Sequence, residues 1–377
     1  MGNNHQIKRQ RILALDLLRG AFLVAIIVNH LVGGPSLFHL FSGGGKMLSS
    51  PAEGFFAISG MLVGYIYAPR IVNSFWKASK KIWKRAGLLY ILGVLYTFVF
   101  TAWVLIFPNS DMPPIWSKSP LMYFINTLLG RYAYGFTDFL PRYAWFMLLS
   151  PIALWFITKG KSWFIFFSSV VIYITLHKNL HFLPFSSWQL IFFLSMIIGY
   201  YLPQIINYAN KLSNLSRELI YSVFQIIGMS TFILSSIAFV AMPMMGLSPS
   251  DGFQHFITKY YHLFDKNSLG IGRLILGSFW FIWLFLTFRR HEKKIDKFTF
   301  GILKAFGQNS LYTYCTHAIV ICVLSTLFSG LHLPIIGSTL FSALVIAFIY
   351  LIVYNNLARK RRKQNFLLQS QVMNSST

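Results

Sequence analysis

Long apolar segments, separated by short polar or basic ones, account for most of this 377-residue chain. A helix that crosses the hydrocarbon core of a bilayer needs about 20 mostly apolar residues, and each segment is close to that length. The pattern therefore predicts an all-α, polytopic membrane protein with about ten transmembrane helices. The predicted spans lie near residues 13–31, 52–68, 87–107, 140–158, 162–178, 186–204, 221–241, 271–288, 305–327 and 334–356.

Composition and charge support a membrane protein and predict its orientation. Charged residues make up only 11% of the chain, whereas soluble domains carry about 25%. The net charge of +24 would suggest a nucleic-acid partner in a soluble protein. Here most Lys and Arg lie in alternate loops, as the positive-inside rule describes, so no nucleic-acid partner is predicted. Both termini are expected in the cytoplasm, in a multi-pass protein of the cell (plasma or inner) membrane.

The chain divides into one membrane domain over residues 1–356 and a basic cytoplasmic tail over residues 357–377. The tail contains the cluster RKRRK and then a mostly polar stretch. Such composition at a terminus predicts a disordered segment. The first apolar segment has no small-residue cleavage site, so it is expected to remain as a signal anchor.

The first predicted span contains three ionisable residues, Asp16, Arg19 and His30. Arg19 and His30 differ by about 20° around a helix and lie about 16 Å apart along it, so they share one face. Asp16 precedes Arg19 by three residues, a spacing that allows the two side chains to pair. Ionisable groups within a membrane usually face protein or water and mark function. A structural ion pair, with His30 merely ending the helix, is the alternative interpretation.

The glycine-rich segment GGPSLFHLFSGGGKMLSS predicts an outer loop that folds toward this face. It leads to PAEGFFAISG, where Glu53 stands at a helix start that favours a carboxylate. Glu53 is expected at the depth of His30 and in contact with it; an ordinary helix-start acid is the alternative. Small residues of the same span are expected to let the first two helices approach closely: Gly54, Ser59, Gly60 and Gly64. The run GIGRLILG follows no strand, so it indicates helix packing and not a nucleotide-binding loop.

Four parts of the chain carry recognisable motifs: RILALDLLRGAFLVAIIVNH, SSPAEGFFAISGMLVGYIY, LLGRYAYGFTDFLPRYAWFMLLSPIALWFI with LPFSSWQLIFFLSMIIGY, and FGQNSLYTYCTHAIVI. In their order and spacing they resemble the OpgC family of membrane acyltransferases, the succinyltransferases of osmoregulated periplasmic glucans. Arg19 and His30 resemble the superfamily pattern of an arginine and a histidine separated by ten residues. Glu53 stands where the family has an acidic residue, and His317 stands where the family has a histidine near the end of the chain. Asn29 stands where family members often have an acidic residue.

The resemblance implies transfer of a succinyl or acetyl group from cytoplasmic acyl-CoA to a hydroxyl of an extracytoplasmic glycan. Acyl-CoA is then the donor substrate, and no permanently bound cofactor is expected. The implied partners are membrane lipids, acyl-CoA and a polysaccharide or glucan acceptor. A transporter or flippase of a lipid-linked saccharide is the competing function, because it too needs polar groups at mid-membrane.

Acyl transfer to an alcohol needs a base, a group that stabilises the oxyanion, and exclusion of water. His30 suits the base, because an unperturbed imidazole has a pKa of about 6.5. Glu53 is expected to orient it, and Arg19, paired with Asp16, to hold the donor's carbonyl or carboxylate. The residues predicted to bind the acceptor are Asp138, Asn29, His317 and Ser310. The residues predicted to receive CoA phosphates are Lys81, Lys84, Arg85 and Arg289.

Two further assignments also have open alternatives. The basic loops also suit topology setting and the binding of anionic lipids. His317 is equally consistent with a packing residue that its neighbours satisfy. The other histidines lack metal-ligand spacing, so no metal site is predicted.

Overall fold

The structure is a computed structural model that describes residues 11–108, 111–115, 119–176, 186–248, 250–266 and 268–375. Within these ranges the chain is helical or in turns, without strands. The first helices are α1 (Leu13–His30), α2 (His39–Ser42), α3 (Pro51–Asn73), α4 (Phe75–Ile106), α5 (Pro120–Leu128), α6 (Phe139–Thr158), α7 (Ser162–Leu176) and α8 (Trp188–Lys211). The remaining helices are α9 (Asn214–Ser236), α10 (Met242–Met244), α11 (Asp251–Phe264), α12 (Ile271–Phe298), α13 (Ile302–Gln308), α14 (Ser310–Leu327) and α15 (Ile335–Ser375).

Nine helical segments of the described chain are long and apolar enough to cross a membrane. They are Leu13–His30, Pro51–Asn73, Phe75–Ile106, Gly135–Thr158, Trp188–Lys211, Asn214–Met244, Ile271–Phe298, Ser310–Leu327 and Ile335–Lys360. Each corresponds to one predicted span, so the polytopic all-α fold is confirmed. The tenth predicted span corresponds to α7, which is apolar but shorter. The last two residues of that prediction, 177 and 178, lie outside the described residues.

Three predicted boundaries differ from the structure. α4 begins at Phe75 and not near residue 87, because the basic segment before the apolar run consists largely of good helix formers. The span predicted at 305–327 is divided between α13 and α14, which meet at Asn309 (φ −120°, ψ 38°). α15 continues to Ser375, through the segment expected to be disordered. The division of the chain into two domains remains a prediction.

Glycines bring α3 into backbone contact with α8. A Cβ atom at Gly60 would overlap the backbone of Phe192, and one at Gly64 would overlap the backbone of Met196. The prediction that these two glycines face the first helix is therefore wrong. Of the three predicted glycines, Gly54 faces α1, and the place of Ser59 in that contact stays a prediction. The reason is that α3 packs between α1 and α8 and presents its more continuous small-residue face to α8.

The first helix is in equally close contact with α13. A Cβ atom at Gly20 would overlap the backbone of Leu303, and one at Gly307 would overlap the backbone of Asp16. α1 also contacts α3, α12 and α14. The helix that carries Arg19 and His30 is thus surrounded by protein on several sides.

The loop between α1 and α3 is folded against the helices. The Asn29 side chain donates to the carbonyl of Ser42 and accepts from the N–H of Gly44, both at 3.0 Å. Farther along the loop, the N–H of Leu48 donates to the hydroxyl of Ser235 in α9 at 3.3 Å. These bonds fix the point at which α3 begins.

Candidate functional site

The face of α1 that carries Arg19 and His30 turns toward the protein interior. Arg19 is only 8% exposed, and its guanidinium lies 5.1 Å from the centre of the Phe55 ring. The half-buried His30 ring lies 4.9 Å from the centre of the Phe136 ring and 5.5 Å from that of His317. The shared face is therefore directed at α3, α14 and the turn before α6, and not at lipid.

His30 and His317 form a pair with an assignable direction of hydrogen bonding. His30 Nδ1 lies 3.3 Å from His317 Nε2, and His317 Nδ1 lies 2.5 Å from the carbonyl oxygen of Tyr314. A carbonyl only accepts, so in neutral His317 the proton is on Nδ1 and Nε2 is an acceptor. His30 Nδ1 is then the donor. The Nε2 atom of His30 is left with a lone pair that can accept a proton.

Tyr314 connects this pair to the segment that covers it. Its hydroxyl donates to the carbonyl of Phe136, and its ring lies 4.9 Å from that of His317. Phe136 belongs to the short turn Gly135–Thr137 and is in contact with His30. His317 itself is fully buried on α14. Tyr314 therefore contacts both His317, the partner of His30, and Phe136, the ring that packs on His30.

Arg19 belongs to a second polar cluster, nearer the beginning of α1. Tyr143 interacts electrostatically with Arg19 and with Arg85, and the guanidinium of Arg85 lies 5.9 Å from the centre of the Tyr143 ring. Arg85 also interacts electrostatically with Tyr67. The Nε atom of Arg19 is buried and has no hydrogen-bond partner within the described chain. The cluster joins four helices and leaves one buried donor available to a ligand.

A family comparison identifies the chain. The sequence model of the OpgC protein family matches residues 11–361, which is nearly the whole chain. The chain belongs to the OpgC family. Membership indicates an acyltransferase-like membrane protein. No curated protein and no solved structure matches the sequence.

Glu53 of this OpgC-family protein does not contact His30, so the predicted contact is wrong. Its buried carboxylate accepts from Arg273 Nε at 2.5 Å and from the N–H of Ser50 at 2.7 Å. The hydroxyls of Ser49 and Ser50 also donate to it. With Ser50 it forms a capping box at the start of α3. A catalytic role for Glu53 remains a prediction.

The depth of Glu53 explains the difference. A Cβ atom at its neighbour Gly54 would overlap the Phe22 ring, so this part of α3 lies at the level of Phe22. Phe22 precedes His30 by eight residues, about 12 Å along α1. A glutamate side chain does not bridge that distance. The loop returns along α1 before α3 begins, which the sequence pattern did not indicate.

Asp16 pairs with Arg11 and not with Arg19, which is a second correction. The Nη2 atom of Arg11 lies 3.1 Å from Oδ1 of Asp16, and its Nε donates to Oδ2. Side chains of a helix lean toward its first residue, so the Asp16 carboxylate is carried toward Arg11. Arg19 instead lies over Phe55. Asp16 acts on Arg19 only through space.

The four residues predicted to bind CoA phosphates lie in two places. Lys81 and Lys84 are exposed on the first part of α4, and Arg85 follows them and reaches the cluster around Arg19. Arg289 is half-buried on α12. The structure therefore connects Arg85 with Arg19, whereas Arg289 is on a different helix.

Asp138, predicted to bind the acceptor, lies at the His30 end of α1. Its carboxylate is 3.2 Å from Arg142 in an ion pair that is partly exposed. It follows Phe136 by two residues, and Phe136 is the residue that covers His30. Asp138 is therefore near the histidine pair without being part of it.

Asn29 and Ser310 have positions that favour structural roles. Both polar groups of the Asn29 amide are used by the loop after α1. Ser310 is buried at the beginning of α14, seven residues before His317. That spacing is about 10 Å along a helix, so Ser310 is not brought to the histidine pair. Their assignment to acceptor binding stays a prediction.

Sequence reasoning missed Arg273, which lies in the run GIGRLILG. Arg273 is 3% exposed and donates from Nη1 to the carbonyl of Phe264 at 3.1 Å, while its Nη2 has no partner in the described chain. An arginine within an apolar span was the available signal. The contact between His317 and His30 was also missed, although both histidines were singled out. The expectation of no metal stays a prediction; no three His, Cys, Asp or Glu side chains gather in the described ranges.

Proposed function

We propose that this protein is a membrane O-acyltransferase that moves a succinyl or acetyl group from cytoplasmic acyl-CoA to a hydroxyl of an extracytoplasmic glycan. The single observation that carries the proposal is the buried face of α1. It has an imidazole with an available Nε2 at one end and an arginine with an unpartnered Nε toward the other. A base and a donor-binding cation on one path suit a thioester and a hydroxyl that arrive from opposite sides.

His30 acts as the general base. Its Nε2 removes the proton of the acceptor hydroxyl while that oxygen attacks the thioester carbonyl. The carbon–sulfur bond then breaks, the ester forms, and Nε2 returns the proton to the CoA thiolate. His30 Nδ1 donates to His317 throughout, so His317 has the orienting role that a carboxylate has in hydrolase triads.

Arg19 binds the arm of the donor and not its reacting carbonyl. Because Arg19 and His30 are about 16 Å apart along α1, one carbonyl cannot lie at both. Lys81 and Lys84 receive the phosphates of CoA at the exposed end of α4. Arg85 and Arg19 then contact the pantetheine arm as it extends toward His30.

Aromatic rings occupy the space between the two clusters. Phe55 lies 4.8 Å from Phe139, and Phe139 lies 5.4 Å from Tyr314, measured between ring centres. These rings keep water away from the thioester, which would otherwise hydrolyse. Entry of the donor displaces them. The acceptor approaches His30 past Asp138 and Arg142, whose partly exposed polar groups suit sugar hydroxyls.

The test uses purified full-length protein in liposomes, labelled succinyl-CoA or acetyl-CoA, and a glucan oligosaccharide. We expect release of free CoA together with labelled glucan, and a loss of at least about 100-fold in His30→Ala, the usual effect of removing a general base. His39→Ala is the matched control, because His39 contacts Ser36 in the loop and not the pair. Unchanged activity in His30→Ala would reject the base. No CoA release with any donor, combined with saccharide movement across the membrane, would favour a transporter or flippase.

A further inference from the structure

An elongated cavity of about 580 Å³ lies between α1, α9 and α12. Its lining on α1 extends from Leu18 to Val28, and its lining on α12 extends from Gly277 to Phe288. Ten or eleven residues of helix correspond to about 15 Å. The cavity is therefore a slot that runs parallel to the helices over about half the thickness of a bilayer core.

The slot is separate from the path proposed for acyl transfer. Ala21 lines the slot, and it lies about 160° around α1 from Arg19 and about 180° from His30. α1 itself thus stands between the slot and the two polar clusters. A ligand in the slot does not reach the histidine pair.

The hydroxyl groups of the slot are concentrated at one end, whereas the Nε1 atom of Trp283, farther along α12, is a buried donor without a partner in the described chain. Among its lining residues the hydroxyls come from Ser42, Ser49 and Ser50, and no charged side chain contributes. Ser49 and Ser50 donate to Glu53. Ser42 is 3% exposed, and its hydroxyl has no partner in the described part of the chain. The carbonyl of Ser42 is bonded to Asn29, so this end is level with the last turn of α1.

The wall formed by α9 and α12 is thin and faces lipid. Trp283 of α12 packs against Gly228 of α9, which closes this wall along one line. Met229 and Ile233 line the slot and are also 45% and 41% exposed. These two side chains border both the slot and the outer surface of the helix bundle, so the slot is reached from the bilayer.

We propose that the slot binds one hydrocarbon chain of a membrane glycerolipid, with a lipid ester oxygen accepting the hydroxyl hydrogen of Ser42. The shape fits a chain, because the slot is long and lies along the membrane normal. The chemistry fits as well, because an apolar lining without charges disfavours a sugar or a nucleotide. The one lining hydroxyl without a partner, that of Ser42, lies at the His30 end of the slot. The ester groups of lipids in the leaflet at that end lie at the same depth.

A bound chain would support the fold near Glu53. Gly277 and Ser49 both line the slot, and a Cβ atom at Gly277 would come within 3.8 Å of a Glu53 carboxylate oxygen. The hydrocarbon would therefore keep water away from the ion pair of Glu53 and Arg273 from the lipid side. Removal of the lipid is expected to lower the melting temperature of the protein.

The test uses phosphatidylcholine brominated on its acyl chains, which quenches tryptophan fluorescence on contact. Trp280 and Trp283 line the slot. We expect titration of the delipidated full-length protein in detergent to show a saturable quenching component at low lipid content. That component is lost in Ala25→Phe, which fills the slot from α1, and diminished in Trp283→Phe. Ala102→Phe, the same change on the exposed surface of α4, is the matched control and retains it.

Ser42→Ala is a second variant that leaves the shape of the slot intact. It is expected to shift the saturable component to severalfold higher lipid content. Equal quenching in wild type, Ala25→Phe and Ser42→Ala would overturn the proposal. So would a dimer that Ala25→Phe dissociates, since a second copy would then fill the slot. His30→Ala leaves quenching unchanged whether or not the protein transfers acyl groups, so failure of one proposal is distinguishable from failure of the other.

Discussion

Two buried polar pairs in this protein differ in whether they leave a hydrogen-bonding atom available to a ligand. Both join segments more than 200 residues apart, since His30 contacts His317 and Glu53 contacts Arg273. In the first pair a single contact joins two imidazoles, and Nε2 of His30 stays available. In the second pair the carboxylate accepts four hydrogen bonds, from the arginine and from two serines.

The difference separates a reactive group from a structural one. A carboxylate that already accepts four hydrogen bonds, from an arginine and from its own helix cap, has its lone pairs occupied and offers little to a substrate. An imidazole held on one side only keeps its orientation and still exchanges a proton on the other side. Glu53, which was expected to orient His30, is therefore bonded within the scaffold. His317 contacts His30 in its place.

Arg273→Met should have the largest effect on stability, because it leaves the Glu53 carboxylate buried without its cation. Breaking a buried pair in this way costs about 3–5 kcal/mol. The measurement is the thermal unfolding midpoint in detergent. Glu53→Gln combined with Arg273→Met should recover most of the loss. Arg290→Met, which breaks the exposed pair with Glu218, is the control and should change nothing measurable. A double variant as unstable as the single one would contradict this account.

His317→Leu should lower the rate of acyl transfer by about tenfold to 100-fold. It removes the acceptor that stabilises protonated His30, and a hydrogen bond to a charged group contributes about 1.5–3 kcal/mol. His317→Gln retains an acceptor and should recover part of the rate. The pH profile of the rate, recorded beside the thermal midpoint, distinguishes positioning from packing. A profile that does not move in His317→Leu would assign the residue to packing.

Arg19→Lys should lower the rate by about tenfold and raise the KM for acyl-CoA, with little change in the thermal midpoint. Lysine keeps the charge but lacks the planar set of donors and stacks less well on Phe55. Arg70→Lys, at the exposed end of α3, is the matched control. Equal KM values in the two variants would remove Arg19 from the donor path.

Substitution of His39 should have the smallest effect of the four, and that effect should be on the pH dependence of stability. Burial lowers the pKa of His39 below its ordinary value of 6.5, and Lys46 acts in the same direction. The unfolded chain therefore gains a proton at a higher pH than the folded protein, so stability falls as the pH falls below about 6.5. The thermal midpoint should drop less between about pH 7.5 and about pH 5.5 in His39→Gln than in wild type. Identical curves would show that His39 is not involved.

The sequence predicted the features that depend on local pattern. The apolar segments gave the spans, and the ten residues between Arg19 and His30 placed both side chains on one helix face. The ionisable character of that face in an apolar segment indicated a protein-facing surface, and Arg19 is indeed buried. These inferences need only the geometry of a single helix.

Contacts between distant segments were beyond that reasoning. Glu53 was placed at the depth of His30 because it stands at the start of the second span, on the side of the membrane where the first span ends. The loop instead returns along α1. It is hydrogen-bonded to Asn29 of α1 and to Ser235 of α9, which are two separate helices. Arg273 was overlooked because its neighbours suggested packing alone. Helix order around α1 decides such partners, and a single sequence does not contain it.

The backbone contacts at the glycines also limit how this protein can move. α1 and α13 touch main chain to main chain at Gly20 and Gly307, and α3 and α8 do so at Gly60 and Gly64. The two helices of each pair cannot slide past one another without a clash between their backbones. Each pair is therefore expected to move as one rigid body. Between the two bodies the contacts include the Arg19 side chain on Phe55 and the Phe22 ring on Gly54. A catalytic cycle that admits a donor would then consist of these two bodies separating and closing again, and a covalent link between α1 and α3 would arrest it.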